Sequence, residues 1–416
     1  MRSASGIFFL ILLILLLDAY VFQAFKALVR KSRYRKRLIM GFLSLTVLTV
    51  IGAFVFFYVD PALLGKPLRT LLFSMIIGLF FAKLVAAVFF LIDDLRRGAL
   101  WIGRKAIPAR THPVQSSSDS ETISRSVFLS WVGFAAGGSL LGSLMYGFSN
   151  KYNYQVKKVP LSFSNLPDAF RGLKVVHISD IHAGSLLDVP AVQRGVRMIM
   201  GLKPDLIVFT GDMVNDRATE LLPLTDVFKQ LQAPMGVYSI LGNHDYGDYV
   251  RWPYQGVSKE ENLQALIRLQ ESMGWKVLLN EHVILKKGED AIALIGVENW
   301  SNKSRFPAHG RLSDAHKGTE SVGFKMLLTH DPSHWDAEVC NAYRDIDLTL
   351  CGHTHGMQFG VEVPGLKWSP VQYLYKQWAG LYSSGNQQLY VNRGFGFIGY
   401  PGRVGILPEI TLLELS

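Results

Sequence analysis

Apolar residues crowd into the first third of the chain and break into short runs through the rest. Residues 6–25, 38–58, 70–92 and 127–148 each present a largely apolar stretch of about 20 positions, the length at which a helix crosses a bilayer. The pattern predicts four transmembrane helices. A cleaved signal peptide does not fit, because the first stretch lacks a small-residue cleavage signature and three similar stretches follow it. From Lys151 onward the pattern changes to short β-rich apolar runs alternating with amphipathic segments, which is the signature of an α/β (α+β) domain with parallel strands. Five runs are predicted as strands, at 174–182, 205–212, 236–245, 325–335 and 347–355, with a helix over 190–202 that has Pro190 at its start and Gly201 near its end. Two domains are therefore expected: a membrane region over 1–150 and a soluble domain over 151–416.

Charge sharpens the topology. Residues 1–150 hold 17 Lys and Arg against 6 Asp and Glu, and the remainder is near neutral with 26 and 27, so the formal excess of +10 belongs to the membrane region. The loop after the first span carries Lys26, Arg30, Lys31, Arg33, Arg35, Lys36 and Arg37; the loop after the third carries Arg96, Arg97, Arg104, Lys105, Arg110 and Arg125. Between spans two and three there are only Lys66 and Arg69. The positive-inside bias places the two basic loops in the cytoplasm, and with them fixes the N-terminus and everything beyond the fourth span outside. The basic clusters are thus topology and headgroup signals, and with a near-neutral soluble part no nucleic-acid partner is expected. The Ser-rich stretch 113–126 reads as a flexible cytoplasmic linker. Cys340 and Cys351 permit one disulfide at most, and the simpler reading is two buried thiols.

The chemistry sits where the strands stop. Five apolar runs end in Asp180/His182, Asp212, Asn243/His244, His330 and His353/His355. In open α/β sheets the ligand crevice lies at the carboxyl ends of the strands. One such His is usually structural and one such Asp is usually a turn former; five coincident ends are neither. Carboxylates, an amide oxygen and imidazoles, with no thiolate among them, suit borderline divalent metals such as Mn, Fe or Zn.

These blocks, Asp180-x-His182, Gly211-Asp212, Gly242-Asn243-His244-Asp245, His330 and Gly352-His353-x-His355, occur in the order of the calcineurin-like metallophosphoesterase signature, and the chain resembles that family over most of 160–416. Its later segments are similar to the membrane-associated bacterial subgroup of YkuE-type proteins and of relatives that act on lipid-linked diphosphates. The resemblance implies a metallophosphoesterase fold of two packed mixed β-sheets flanked by helices, and two divalent ions. Asp180, His182 and His355 would hold one ion; Asn243, His330 and His353 the other; Asp212 would bridge them. His353 and His355, two positions apart in an extended stretch, would project to one face, with Gly352 and Gly356 letting the backbone turn around them. His244 is the candidate for contacting the phosphoryl group or protonating the leaving oxygen, and Asp245 for orienting its imidazole. His177 and His334 fit no ligand slot and are expected in the core or behind the ligands. Asp216 and Arg217 orient substrate or form a loop salt bridge. Where many members have Gly-Gly after the last His, this chain has Gly356-Met357, a bulkier residue at the mouth.

The stretches 245–256 and 363–380 are dense in aromatics, and Trp252, Tyr254, Trp368, Tyr373, Tyr375 and Trp378 are candidates either for a membrane interface or for packing beneath long loops. Arg393 and Arg403 are candidate phosphate or sugar contacts. The combined reading is a multi-pass enzyme of the bacterial inner membrane, its catalytic domain on the periplasmic or extracytoplasmic side. It would use two divalent ions to hydrolyse a phosphoester or pyrophosphate bond of an amphiphilic, lipid-linked substrate. Two alternatives stand beside it. One is UDP-2,3-diacylglucosamine pyrophosphatase activity, which conflicts with the charge-derived topology because that lipid is made in the cytoplasm. The other is a membrane sensor or assembly protein with a structural metal site.

Overall fold

The computed structural model describes residues 4–59, 61–106 and 125–416, and the chain divides between Tyr146 and Gly147 into two compact units. Arg110 and nearly all of the Ser-rich stretch 113–126 lie outside the described residues. The first unit contains four long helices, α1 (Ala4–Leu28), α2 (Arg35–Tyr58), α3 (Lys66–Ala106) and α4 (Arg125–Gly147), and each is long and apolar enough to span a bilayer. Helix α3 outruns its apolar stretch. At 41 residues it extends about 60 Å, so Arg96 and Arg97, expected in a loop, lie on its helical continuation and pair with Asp93 (2.7 Å) and Asp94 (3.7 Å) one turn back. Within the spans, Lys83 of α3 meets Asp18 of α1 at 2.6 Å and Thr46 of α2 bonds the same carboxylate, a pairing that makes two charges tolerable among apolar helices. Gly133 and Gly137 of α4 pack so close to the Ala86 and Ala82 carbonyls that a Cβ at Gly137 would sit 2.3 Å from Ala82 O.

The second unit is built on β1 (Gln155–Leu161), β2 (Leu173–Ile178), β3 (Leu206–Phe209), β4 (Val237–Ser239), β5 (Trp275–Val277), β6 (Glu281–Lys287), β7 (Asp290–Gly296), β8 (Lys325–Leu328), β9 (Leu348–Cys351), β10 (Val361–Val363), β11 (Leu366–Trp368), β12 (Gly380–Ser384), β13 (Gln387–Val391) and β14 (Glu409–Leu415). Two six-stranded mixed sheets, ordered β1-β14-β2-β3-β4-β5 and β12-β13-β9-β8-β7-β6, face each other, and β10-β11 forms a separate hairpin. Alternation along the strands divides the core. Val175, Leu206 and Val208 of the first sheet meet Leu294, Met326, Leu328 and Leu350 of the second in one buried layer. Val176, Ile178, Ile207 and Phe209 point the other way, against α5 (Val189–Gly201). Asp188 caps α5 by accepting from the Ala191 amide, and Pro190 occupies its first turn, as the sequence pattern predicts. His177 belongs to the layer between the sheets, fully buried and bonded to Thr210 Oγ1 at 2.9 Å. His334 is likewise buried, bonded to Thr329 and Glu338 and stacked on Trp300. The five expected strands are β2, β3, β4, β8 and β9. β2, β3 and β4 run parallel, as do β8 and β9, so the residues that follow them collect at matching ends.

Candidate metal centre

Two groups of potential ligands converge in the loops beyond these strands. Asp180, His182 and His355 place one donor atom each within 4.8 Å of one another, and so do Asp212, His330 and His353. Asp212 lies between the groups: its Oδ2 is 3.2 Å from His330 Nε2 and 3.6 Å from His182 Nε2, while its Oδ1 accepts from the His244 amide at 2.8 Å. In the first group, His355 Nε2 is 3.0 Å from His182 Nε2 and 3.2 Å from Asp180 Oδ1.

The backbone is strained to achieve this. Asp180, His182, Asp212, His353 and His355 all have positive φ, between 48° and 71°, a region that non-glycine residues avoid at a cost of about 1–3 kcal/mol each. The extended geometry expected for 353–355 is therefore corrected. β9 ends at Cys351, and from His355 to Gln358 the chain makes a left-handed turn with φ of 50°, 55°, 52° and 56°. With His353 itself at a φ of 71°, the two imidazoles go to different groups. Gly352 is needed for close approach, since a Cβ there would lie 1.9 Å from Ser179 Oγ.

The ligand atoms are aimed by what holds the rest of each side chain. His330 Nδ1 donates to the Thr210 carbonyl at 2.6 Å, leaving Nε2 without a hydrogen-bond partner. His353 Nε2 donates to the Tyr375 hydroxyl (2.8 Å), which donates to Asp331 Oδ2 (3.1 Å), so Nδ1 is the open nitrogen. Asn243 gives its amide NH₂ to Tyr249 Oη at 2.9 Å and keeps Oδ1 unpartnered. Buried acceptors left open in this way are costly unless something else satisfies them. An open amide oxygen, open imidazole nitrogens and two carboxylates form the donor set of a divalent ion, so the residues fit the metal that the resemblance implies. Burial holds His182 and His353 below the usual imidazole range, the neutral form a metal needs. For Asp180 and Asp212 burial works the other way, but the surrounding imidazoles, His355 and His330 foremost, hold both carboxyls low. His330 is opposed by burial yet pushed up to about 10 by Asp212, so a proton and a cation compete for the same nitrogen.

His244 stands beside this centre, partly exposed, its ring 5.0 Å from that of His182. The role expected for Asp245 is corrected. Its carboxylate accepts from the amides of Gly242 (2.8 Å), Asp212 (2.9 Å), Met213 (2.8 Å) and Val214 (3.2 Å), tying the two ligand loops together, and the Asn215 carbonyl takes the bond from His244 Nδ1 at 2.7 Å. Arg393 and Arg403 are also corrected: both are buried and committed. Arg393 pairs with Glu409 and Glu362, and Arg403 donates to the carbonyls of His355, Arg393, Gly394 and Gly396. Of the aromatics, Tyr375 and Trp378 are buried in the wall of the site, Tyr373 is exposed, and Tyr254 receives Arg217 on its ring at 3.7 Å. Tyr249, Asp331 and the carbonyl of Asn215 were not singled out by sequence. Asp331 adjoins His330 in the chain, the one signal that could have drawn attention to it. Both cysteines are free.

Comparison with known proteins follows this geometry closely. Residues 173–357 match the family model described as calcineurin-like phosphoesterase, and residues 1–151 match one described as probable calcineurin-like phosphoesterase, transmembrane domain. An uncharacterized metallophosphoesterase of Bacillus subtilis, YkuE, is 30% identical over 307 residues, which cover 71% of this chain and 98% of the relative. The chain belongs to the calcineurin-like phosphoesterases. A transmembrane protein with metallophosphoesterase domain from Danio rerio is 30% identical over 269 residues, and there the match spans 63% of this chain but only 57% of the relative. The phosphodiesterase YaeI of Escherichia coli is 27% identical over 244 residues, 58% of this chain and 82% of the relative. This member of the family is membrane-embedded through its four apolar helices, and its two Asp/His groups are able to bind metal ions.

Proposed function

We propose that the chain is a membrane-anchored, dinuclear metal-dependent phosphoesterase whose catalytic unit faces the extracytoplasmic side of a bacterial inner membrane. Its substrate is an amphiphilic phosphoester or pyrophosphate. The observation that carries the reading is the Asp212 carboxylate, with one oxygen near both ligand groups, in one of which Asn243 Oδ1, His330 Nε2 and His353 Nδ1 are left open. Asp180, His182 and His355 would hold one ion and Asn243, His330 and His353 the other, with Asp212 common to both. When bound, such a pair supplies Lewis-acid activation of water and of phosphoryl oxygens. Mn, Fe and Zn all suit the donor set.

The chain's own residues do the rest. The Asn215 carbonyl accepts from Nδ1–H of His244, so Nε2 is the nitrogen left to act on a phosphoryl or leaving-group oxygen, as a donor when the ring is an imidazolium. Asp245 keeps the loops of Asp212 and Asn243 in register through its four amide bonds. Tyr249 and Tyr375 hold Asn243 and His353 in the orientations that expose their ligand atoms.

The test uses the purified full-length chain. Removal of divalent ions should abolish hydrolysis of a soluble phosphodiester, and Mn²⁺ should restore it. His244→Ala should cut turnover by roughly a hundredfold or more while the chain still binds two ions. A chain that binds metal but hydrolyses no phosphoester would instead be the structural-site protein. For topology, the basic loops predict that a reporter fused after Ser416 is active only in its extracytoplasmic form. A cytoplasmic Ser416 would overturn that placement and make UDP-2,3-diacylglucosamine the next substrate to assay.

A further inference from the structure

The β10-β11 hairpin is turned inside out for a water-soluble surface. Its register pairs Val361 with Trp368, Glu362 with Lys367 and Val363 with Leu366. Directly paired residues share a face, so Glu362 and Lys367 lie on one side and the apolar pairs on the other. A hairpin on a soluble protein ordinarily packs its apolar side inward. Here the charged side is bonded to the domain: Glu362 bonds Arg393, and Lys367, although exposed, bonds the Ala379 carbonyl with its ammonium 4.9 Å from the ring centre of Trp378, while on the apolar side Trp368 alone is half-buried. The apolar side faces out, leaving Val361, Val363 and Leu366 41%, 52% and 54% exposed. Met357 before the hairpin and Tyr373 and Leu374 after it are exposed as well, the last two followed by the projecting Lys376. Exposed apolar side chains gathered in one short stretch of chain, 357–374, suit an interaction surface.

Chain connectivity bears on what would cover it. Gly147, where α4 ends and the catalytic unit begins, has its carbonyl accept from the Arg403 amide at 2.9 Å. The next residue, Val404, forms a parallel bridge with Phe359, and the amide of Gly360 donates to the Val404 carbonyl at 2.9 Å. The base of the hairpin is therefore hydrogen-bonded one residue away from the segment that holds Gly147, the first residue of the catalytic unit in the chain. Its other connection leads to the ligands, since His355 and Met357 precede it in one turn and Tyr375, which holds His353, follows it.

We propose that this hairpin, with Met357, Tyr373 and Leu374, is a lipid-facing surface that seats the mouth of the metal centre on the bilayer, so that the phosphate of an embedded amphiphile is taken at headgroup level. The substrate half of the proposal rests on the phosphoesterase reading above; the lipid contact does not. Tyr373 and Lys376 suit the interface chemically, an amphipathic ring and a long cationic arm.

The experiment is done on the full chain carrying Cys340→Ser, in lipid nanodiscs of phosphatidylethanolamine and phosphatidylglycerol. Single cysteines are introduced as Val363→Cys, Leu366→Cys and, as a control at the exposed end of β6, Lys287→Cys. Each bears an environment-sensitive fluorophore. Quenching by nitroxide-labelled lipid should be at least threefold stronger at 363 and 366 than at 287. Equal quenching at all three positions contradicts the proposal. So does shielding of 363 and 366 that persists in lipid-free detergent with the mass of a dimer, which would assign the face to a second copy. In a second arm, Val363→Asp/Leu366→Asp should lower turnover of a bilayer-embedded phosphate ester at least tenfold and leave turnover of a soluble phosphodiester unchanged. Equal loss on both substrates would make the hairpin a structural element only. If the unsubstituted chain turned over neither ester, the phosphoesterase reading would fail while the quenching result still decided the lipid contact.

Discussion

The two histidines of one short motif are backed by opposite charges. Behind His353, the Tyr375 hydroxyl links the ring to the Asp331 carboxylate, itself bonded to Ser301 and 3.5 Å from His353 Nε2. Behind His355 stands the fully buried guanidinium of Arg403, with Nη2 3.3 Å from Nδ1. A carboxylate behind an imidazole raises its basicity and orients it toward a metal, whereas a fixed cation at that distance repels one. The rest of each group repeats the contrast. His330 and Asn243 are oriented by Thr210 and Tyr249, while His182 Nδ1 is buried without a partner. The lesson is that symmetric-looking ligand sets need not be equivalent: by their backing, and once the proton on His330 is displaced, the Asp212/His330/His353 group would bind an ion more tightly than the Asp180/His182/His355 group.

The largest effect expected is from Asp212→Asn, which removes the oxygen common to both groups and so should erase the difference between them. Turnover should fall roughly a thousandfold, about 4 kcal/mol of transition-state stabilisation, and metal analysis should show fewer than two ions per chain. Next comes acid stability, carried by β2, the strand that leads into the weaker group. Burial pushes the pKa of His177 down to about 4. The unfolded chain binds that proton from about pH 6.5 downward and the folded chain does not, so stability is complete above about 6.5 and is lost as pH falls toward 4. The loss should reach about 3 kcal/mol, read as a fall in the melting temperature of the catalytic unit that His177→Gln largely removes. Tyr375→Phe and Asp331→Asn sharpen the comparison directly: each should weaken metal binding in the tighter group by roughly 10–100-fold and leave the weaker group unchanged in a competition titration. The smallest effect is Met357→Gly. It relieves one left-handed residue and should raise stability by about 1 kcal/mol, measured by thermal unfolding.

The architecture was legible because its signals are local. Four long apolar runs, and five short ones that stop at Asp, His or Asn, mark the spans, the parallel strands and the residues that the fold gathers at the strand ends. The left-handed turn from His355 to Gln358 was hidden, because three of its four residues are not glycine and tertiary contacts override their preference for extended backbone. The partners of the ligands were hidden for a different reason. Tyr375 lies 22 positions from His353 and Arg403 lies 48 from His355, and no periodicity connects them. Tyr375 was noticed only as one aromatic in a dense stretch, although burial gives it a different task from its exposed neighbour Tyr373. Arg393 and Arg403 looked available because sequence shows charge and does not show the carbonyls and carboxylates that already claim it.

The most direct test of the unequal metal centre is a titration of the metal-free full chain with Mn²⁺, followed by electron paramagnetic resonance. The account predicts that the first equivalent gives the six-line spectrum of an isolated ion and that the second, at higher free Mn²⁺, converts it to a spin-coupled pair. A coupled signal growing from the first addition, in proportion to total metal, would contradict it.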